Sequence, residues 1–236
     1  MTYQYRKSEL NYIEKKIYEK ILQGIEQKKN CIYLGWGDFS KVEKILKAVL
    51  DDHPELFYVD GGQVIGSVLG MVMFPCYMYA PDVIERLRWQ CDDQRNHILK
   101  GPEYTNPMMI ALRVHNLLVA NVEYKEIGKE SHSIIGPMLS MEAVCEGYAK
   151  AMKYILDGYE IPCIVVEGVA KNGKDNLEEP HAWVLAYINA RWRHIDPTFD
   201  CTISNQMCIR EDYFQLTDEQ MEKDHRWDME KYPCAD

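Results

Sequence analysis

The sequence predicts an α+β protein, and three observations carry that reading. Apolar residues spaced by three and four mark several amphipathic helices. Two separate stretches are rich in Val, Ile, Tyr, Phe and Trp, the composition of strands. In the second half, a helix is followed by consecutive strand-like runs rather than by alternating strand and helix, the order of segregated α and β layers. The chain has 236 residues, 47% hydrophobic and 27% charged, which suits a folded protein with ample core and not a disordered one.

The elements follow in order. Residues 8–28 place Leu10, Ile13, Ile17, Ile21 and Ile25 on one helical face, with Lys15, Lys16 and Glu19 on the wet side. A second helix runs over about 40–51, through Val42, Ile45, Leu46, Val49 and Leu50, with Asp38 or Ser40 as its cap. It stops before His53-Pro54, because a residue preceding proline avoids helical geometry. The stretch 57–79, FYVDGGQVIGSVLGMVMFPCYMY, reads as a β-hairpin or short meander with Asp60-Gly61-Gly62 as its turn. Pro81 opens a helix over 81–99, and Asn106-Pro107 opens another through Ile110, Val114, Leu117 and Leu118.

From Pro137 to Leu156 the pattern is helical again, with Gly158 as terminator. Three strands are expected next: Ile161–Val169, Ala182–Ile188 and Trp192–Ile195. The first two are separated by the polar loop 171–180, and the last two are joined by the tight connection Asn189-Ala190-Arg191. Thr217-Asp218-Glu219-Gln220 has the form of a capping box for one last short helix. The organisation is an N-terminal helical and β extension over 1–100, a core over 101–210, and an acidic tail over 211–236, read as one structural domain.

Charge and composition exclude several function classes. The net charge is −10, of which the tail contributes −6. That balance disfavours non-specific nucleic-acid binding, and no apolar run reaches the ~20 residues of a membrane span. The start, MTYQYRKSELNYIEKK, lacks the apolar segment of a secretory signal. A cytoplasmic protein is therefore expected, or a secreted or cell-surface one if a signal has been removed.

Eight cysteines occur, and no two are separated by only two residues, which disfavours a zinc ribbon or a thioredoxin-like redox pair. Seven scattered histidines form no helical His-x-x-x-His pair, so no metal and no cofactor are expected. Most of the thiols read as small buried hydrophobes, Cys163 and Cys201 among them. Cys145 differs. It lies near the start of the apolar-periodic helix MEAVCEGYAKAMKYIL, where unpaired N–H groups and the helix dipole favour thiolate, and Gly147 leaves the backbone beside it uncrowded. His181 opens the strand HAWVLAYI, and Asp196 ends the next strand before Pro197. If those strands form a hairpin, the two side chains lie near the same end of it. A nucleophile, a base and an orienting carboxylate are the parts an acyl-transferring thiol enzyme needs. His194, two residues from Asp196 on the same strand face, is a second and weaker choice of base.

The strings AVCEGYAKAMKYIL, GYEIPCIVVEG and EPHAWVLAYINARWRHIDPTFD closely resemble the bacterial branch of the transglutaminase-like superfamily. The resemblance extends over about residues 108–200, since HNLLVANVEYKE (115–126) is similar to the helix and Tyr that precede the active site in that branch. DDHPELFYVD (51–60) is similar to an N-terminal region of some members. The resemblance implies a papain-like α+β core, a Cys145–His181–Asp196 triad and cysteine-dependent acyl transfer: hydrolysis of a peptide or other amide, cross-linking or deamidation. A non-catalytic peptide-binding module that keeps the fold is the rival expectation.

The backbone N–H of Cys145 is one expected oxyanion donor. Papain-like enzymes carry a Gln six residues before the nucleophile where this chain has Leu139, so Tyr77, Trp36 and Gln63 are the other candidates. Glu146, Trp183 and Tyr148 are candidate cleft residues, although Trp183 and Tyr148 also read as core. Glu142, Glu146, Glu178 and Glu179 read as a solvated acidic rim. The expected partner is a peptide or protein substrate, not nucleic acid.

Overall fold

The computed structural model describes residues 2–98, 106–171, 177–204 and 208–236. Residue 99 of the expected third helix and residues 172–176 of the polar loop lie outside these. The chain divides into two compact units, Gln4–Trp89 and Met1–Tyr3 with Gln90–Asp236.

The first unit begins with a single helical turn, α1 (Tyr5–Ser8), and the amphipathic helix α2 (Tyr12–Glu26). Asn11 and Glu14 form a reciprocal capping box at the start of α2, closing two N–H groups that the helix itself leaves open. Strand β1 (Ile32–Gly35) follows, and then a 3-10 turn at Phe39–Lys41, capped by Asp38, leads into α3 (Val42–Asp52). Buried Asp52 accepts from the backbone N–H groups of Arg6 and Lys7 and from the Tyr18 hydroxyl. One carboxylate thereby ties α1 and α2 to the end of α3.

Strands β2 (Val59–Ser67) and β3 (Gly70–Tyr77) form the expected hairpin, with β1 on the other edge of β3. The turn, however, is at Val68-Leu69. Asp60-Gly61-Gly62 lies inside β2, where the register shifts between Val59 and Gly62 and Gly61 takes φ +81°. The same residue types that suit a turn here make a β-bulge. Helix α4 (Pro81–Ile98) begins in this unit, and the division falls within it.

In the second unit Asn106 caps α5 (Pro107–Asn121), with Pro107 in its first turn. The continuous helix expected from Pro137 is not formed. Residues Gly136–Ser140 make one short helical turn, and Met141 then turns left-handed at φ 57°. Strand β5 (Glu142–Ala143) follows, in parallel register with β4 (Glu123–Tyr124). Pairing with β4 draws the chain out of helical geometry, so helix α6 (Cys145–Gly158) starts afresh at Cys145. It ends after Gly158, with the left-handed residue at Glu160 (φ 59°) and not at the glycine. Gly158 is small for another reason: a Cβ there would meet the Arg95 side chain at 2.7 Å.

Helix α6 packs on a five-stranded sheet. Strands β6 (Cys163–Lys171), β7 (Glu178–Ile188) and β8 (Arg191–Ile195) pair antiparallel, with Val166 opposite Trp183 and Val184 opposite Ile195. Asn189 and Ala190, both at positive φ, make the tight β7–β8 turn. Helix α7 (Pro197–Ile203), strand β9 (Phe214–Leu216), the capping-box helix α8 (Asp218–Met221) and strand β10 (His225–Trp227) complete the order β10-β6-β7-β8-β9. The acidic tail therefore supplies both edges of the sheet.

The buried face of α6 carries Tyr148, Ala149, Met152, Ile155 and Leu156, and also Lys153, which is 1% exposed. Its ammonium donates to Asp157 Oδ2 at 2.8 Å, to the Cys163 carbonyl at 2.8 Å and to the Tyr3 carbonyl at 3.1 Å. Three acceptors offset the cost of burying the charge, and removing one partner of such a pair strands the other. Lys153→Met is expected to lower unfolding free energy by about 3–5 kcal/mol in urea titration. Near-wild-type stability would show that the lysine is dispensable.

Candidate active site

Cys145 is the first residue of α6 and is half-buried. Its preceding residue, Val144, offers no side-chain cap, so the first-turn N–H groups have no partner from within the helix or from a cap. The turn sits close against the 129–132 segment: Val144 N–H donates to the Ser131 carbonyl at 3.2 Å. A Cβ on Gly147 would lie 2.2 Å from that same carbonyl oxygen. Gly147 is therefore needed for close backbone approach, a more specific reason than an uncrowded thiol.

His181 sits on β7, opposite Gly168 of β6. Asp196 follows the last paired residue of β8 and caps α7, so it is not a cross-strand neighbour of His181 in the ladder. The two meet nonetheless, with His181 Nε2 donating to Asp196 Oδ2 at 2.7 Å. Cys145 lies near enough to the His181 ring to help raise its pKa. Cys145, His181 and Asp196 are thus brought together by a helix start, a strand and a helix cap.

Asp196 is fully buried and its two oxygens divide the work. Oδ1 accepts from the N–H groups of Thr198 and Phe199, at 2.9 and 3.2 Å, capping α7. Oδ2 accepts from His181 and also from His225 Nε2 at 3.1 Å. Burial opposes the charge on this carboxyl, but His181 and then His225 outweigh it and hold its pKa well below the usual carboxylate range. For His181, burial disfavours the imidazolium; the Asp196 charge and hydrogen bond, joined by Cys145, overcome it and raise the pKa to about 10.

The aromatic surroundings hold the imidazole in place. Trp183 is fully buried and stacks on the His181 ring at 5.9 Å, and Phe199 meets it edge-on at 5.0 Å. Trp183 and Tyr148 are both 0% exposed, so neither presents surface to a substrate. The Tyr148 hydroxyl is committed to the Val122 carbonyl and Cys201 Sγ. Glu146 is engaged by His132 Nδ1 at 2.9 Å and by Lys150.

His194 does not serve as an alternative base. An indole N–H can only donate, so the 2.8 Å bond from Trp183 Nε1 makes His194 Nδ1 an acceptor, and Nε2 donates to Asp218 Oδ1 at 2.8 Å. Both nitrogens are occupied, and burial lowers its pKa to about 4. Tyr77, Trp36 and Gln63 lie in the first unit. There the Tyr77 hydroxyl donates to the Lys29 carbonyl at 2.9 Å, while Trp36 and Gln63 are exposed.

Two residues were not among the sequence candidates. Tyr124, at the end of β4, has its pKa raised by burial first and by the Cys145 charge next, so its phenol lies within electrostatic range of the thiol. His225 lies in a tail read only as acidic. Its partner strand is some 55 positions upstream, at Ala170, and no local pattern signals so distant a pairing. Among the described residues, His181, Asp196 and His225 are the group that brings ligand-type atoms within 4.8 Å of one another. Those atoms already hydrogen-bond among themselves, and a bound cation would displace the protons that join them. A hollow of about 250 Å³ opens elsewhere, among Val114, Leu118, Val122, Met138, Met141 and Ile155, and none of Cys145, His181 and Asp196 lines it.

The raised pKa of His181 has a signed consequence for stability. The stabilisation it contributes is complete below its unfolded value of about 6.5 and disappears as pH rises through about 10. In urea titrations, the stability difference between wild type and His181→Gln is expected to be largest at pH 6 and to shrink steadily toward pH 10. A difference independent of pH would contradict the assignment.

Residues 100–197 match the family profile of the transglutaminase-like superfamily. No curated protein matches the chain. Among solved structures, similarity is found to a candidate cysteine protease from Cytophaga hutchinsonii (18% identity over 59% of this chain and 62% of that one, TM-score 0.39). A structure described as a TGase has 14% identity over 69% of this chain and 48% of that one, with a TM-score of 0.40. The periplasmic domain of TgpA from Pseudomonas aeruginosa has 20% identity over 55% and 53%, with a TM-score of 0.33. The chain therefore spans about half to three-fifths of the length of these three structures.

Proposed function

We propose that this chain, whose residues 100–197 match the family profile of the transglutaminase-like superfamily, is a cysteine-dependent acyl-transfer enzyme that hydrolyses a peptide or other amide through a thioester on Cys145. The observation that carries this reading is the placing of His181 between Asp196, to which it hydrogen-bonds, and the charge of Cys145, with the thiol at the unsealed start of α6.

In the first step the Cys145 thiolate attacks the amide carbonyl carbon, forming a C–S bond and a tetrahedral oxyanion. The Cys145 backbone N–H, in the first turn of α6, is one donor to that oxyanion. His181, protonated on both nitrogens, passes a proton to the leaving amine as the C–N bond breaks. The neutral imidazole then removes a proton from water, which attacks the thioester. The C–S bond breaks, the acid departs, and the thiolate–imidazolium pair is restored. Asp196 keeps its own charge throughout, orienting the ring and stabilising the imidazolium.

Water is the default acceptor unless a site excludes it, so hydrolysis is favoured over cross-linking. The acidic groups nearby are largely engaged: Glu146 by His132 and Lys150, and Glu142 by Lys125.

The exposed thiols of Cys31 and Cys76 provide internal references. At pH 6.5, where an ordinary thiol of pKa about 8.5 is largely protonated, iodoacetamide is expected to label Cys145 at least about tenfold faster than either reference. His181→Ala should remove that advantage. Equal rates at all three cysteines in wild type would sink the catalytic reading and favour the binding-module rival.

A further inference from the structure

We propose that His225, backed by Asp224, is a positioning residue of this same site: a second imidazole on the shared Asp196 oxygen that sets how tightly His181 holds its proton. The inference rests on the reading of His181 and Asp196 given above, and it assigns a role to a buried histidine which that mechanism leaves unused.

The geometry is specific. His225 is fully buried at the start of β10. Its Nε2 lies 3.1 Å from Asp196 Oδ2 and its Nδ1 lies 2.6 Å from Asp224 Oδ1. An ionised carboxylate only accepts, so with a carboxylate on each side both ring nitrogens donate and His225 is an imidazolium. The direction of its pKa agrees: burial opposes the charge, but the bonds to Asp196 and Asp224 raise it.

Every titratable group packed around the ring enters the balance. Asp224 adjoins it in sequence and receives the Tyr213 hydroxyl on its other oxygen, Oδ2. Asp196 reaches it from the cap of α7, and the His181 ring on β7 lies 5.4 Å away, centre to centre. The Tyr213 ring lies 5.7 Å away. His194 on β8 is near enough for its own protonation to be disfavoured by His225, and it is held neutral by its Trp183 bond. The remaining walls, Trp183 and Phe199, are apolar rings at 5.0 and 4.5 Å.

Part-exposed Asp224, buried His225, buried Asp196 and His181 therefore alternate in charge from negative to positive. The consequence for His181 has one sign. A lone buried aspartate would hold the His181 proton so firmly that its transfer to a leaving amine would suffer. A second cation on the same oxygen takes up part of the aspartate's charge and repels the His181 proton directly, so both effects make that proton easier to give up. Gly168 protects the arrangement from the sheet side: a Cβ there would lie 2.1 Å from the Arg226 carbonyl and 2.9 Å from Trp183. A side chain at 168 would push away the strand that carries His225.

The test follows the His181 imidazole by NMR titration, with its resonance assigned by its loss in His181→Gln. His225→Gln keeps an N–H donor where Nε2 stood but carries no charge, and it is expected to raise the His181 midpoint by about one pH unit. Asp224→Asn is expected to raise it by less. His225→Leu should raise the midpoint and also lower stability; where that variant fails to fold, the Gln variant decides. A His181 midpoint that is unchanged or lower in folded His225→Gln overturns the proposal, since a merely structural histidine would be replaced by Gln without moving it. The titration needs no substrate. Cys145→Ala, measured alongside, tests the Cys145–His181 pairing separately: a His181 midpoint that ignores Cys145 but responds to His225 would defeat the acyl-transfer reading and leave this one standing.

Discussion

The carboxylate of Asp196 is the constraint on which the second unit depends. It is fully buried and accepts four hydrogen bonds: two from the first turn of α7 and one from each of two histidines. Its own backbone N–H donates to the Tyr213 carbonyl just before β9. One side chain therefore fixes the exit of β8, the start of α7, the end of β7 nearest the helix α6 thiol, and the edge strand β10. A buried anion is costly unless its lone pairs are satisfied. Here they are, and the same bonds that offset that cost place an imidazole beside Cys145.

The protein uses buried histidine–carboxylate pairs more than once. His115 Nε2 meets Asp200 Oδ2 at 2.9 Å, and that carboxylate also accepts the N–H groups of Asp212 and Tyr213. His194 meets Asp218 at 2.8 Å. What distinguishes the His181–Asp196 pair is the partner of the other ring nitrogen. For His115 that partner is the Asn116 side chain, and for His194 it is the Trp183 indole. Of these three, His181 is the one whose surroundings include a thiol that raises its pKa, that of half-buried Cys145. Three similar pairs thus divide into two that fasten elements together and one that lies beside the Cys145 thiol.

Much of this was legible in the sequence because the signals are local. Spacings of three and four located α2, α3, α4 and α5, and Thr217 with Gln220 marked the cap of α8. Cys145 and Asp196 stood out because each sits at the end of an element, where a side chain can reach past its own helix or strand; His181 was read as opening its strand but is the fourth residue of β7, opposite Gly168. The misreadings share one cause. Gly61-Gly62 has the composition of a turn yet makes a bulge, because pairing with β3 continues past it. The segment from Pro137 has helical periodicity, yet Glu142-Ala143 pairs with Glu123-Tyr124 and breaks the helix. His194 shares a face with the site but is claimed by a tryptophan. His225 was invisible because its role comes from β10 pairing with β6 across the fold. In each case a contact with another strand overrode a local preference, and single-residue propensities carry no record of such contacts.

The central claim is that Cys145, polarised through His181 and Asp196, becomes acylated. Intact-mass and peptide mapping after a brief exposure to p-nitrophenyl acetate at neutral pH tests it without knowledge of the natural substrate. The account predicts one acetyl group per chain, on Cys145, which turns over in water and whose formation slows sharply in Asp196→Asn. Acetylation spread evenly over Cys31, Cys76 and Cys145, or unaffected by that substitution, would contradict it.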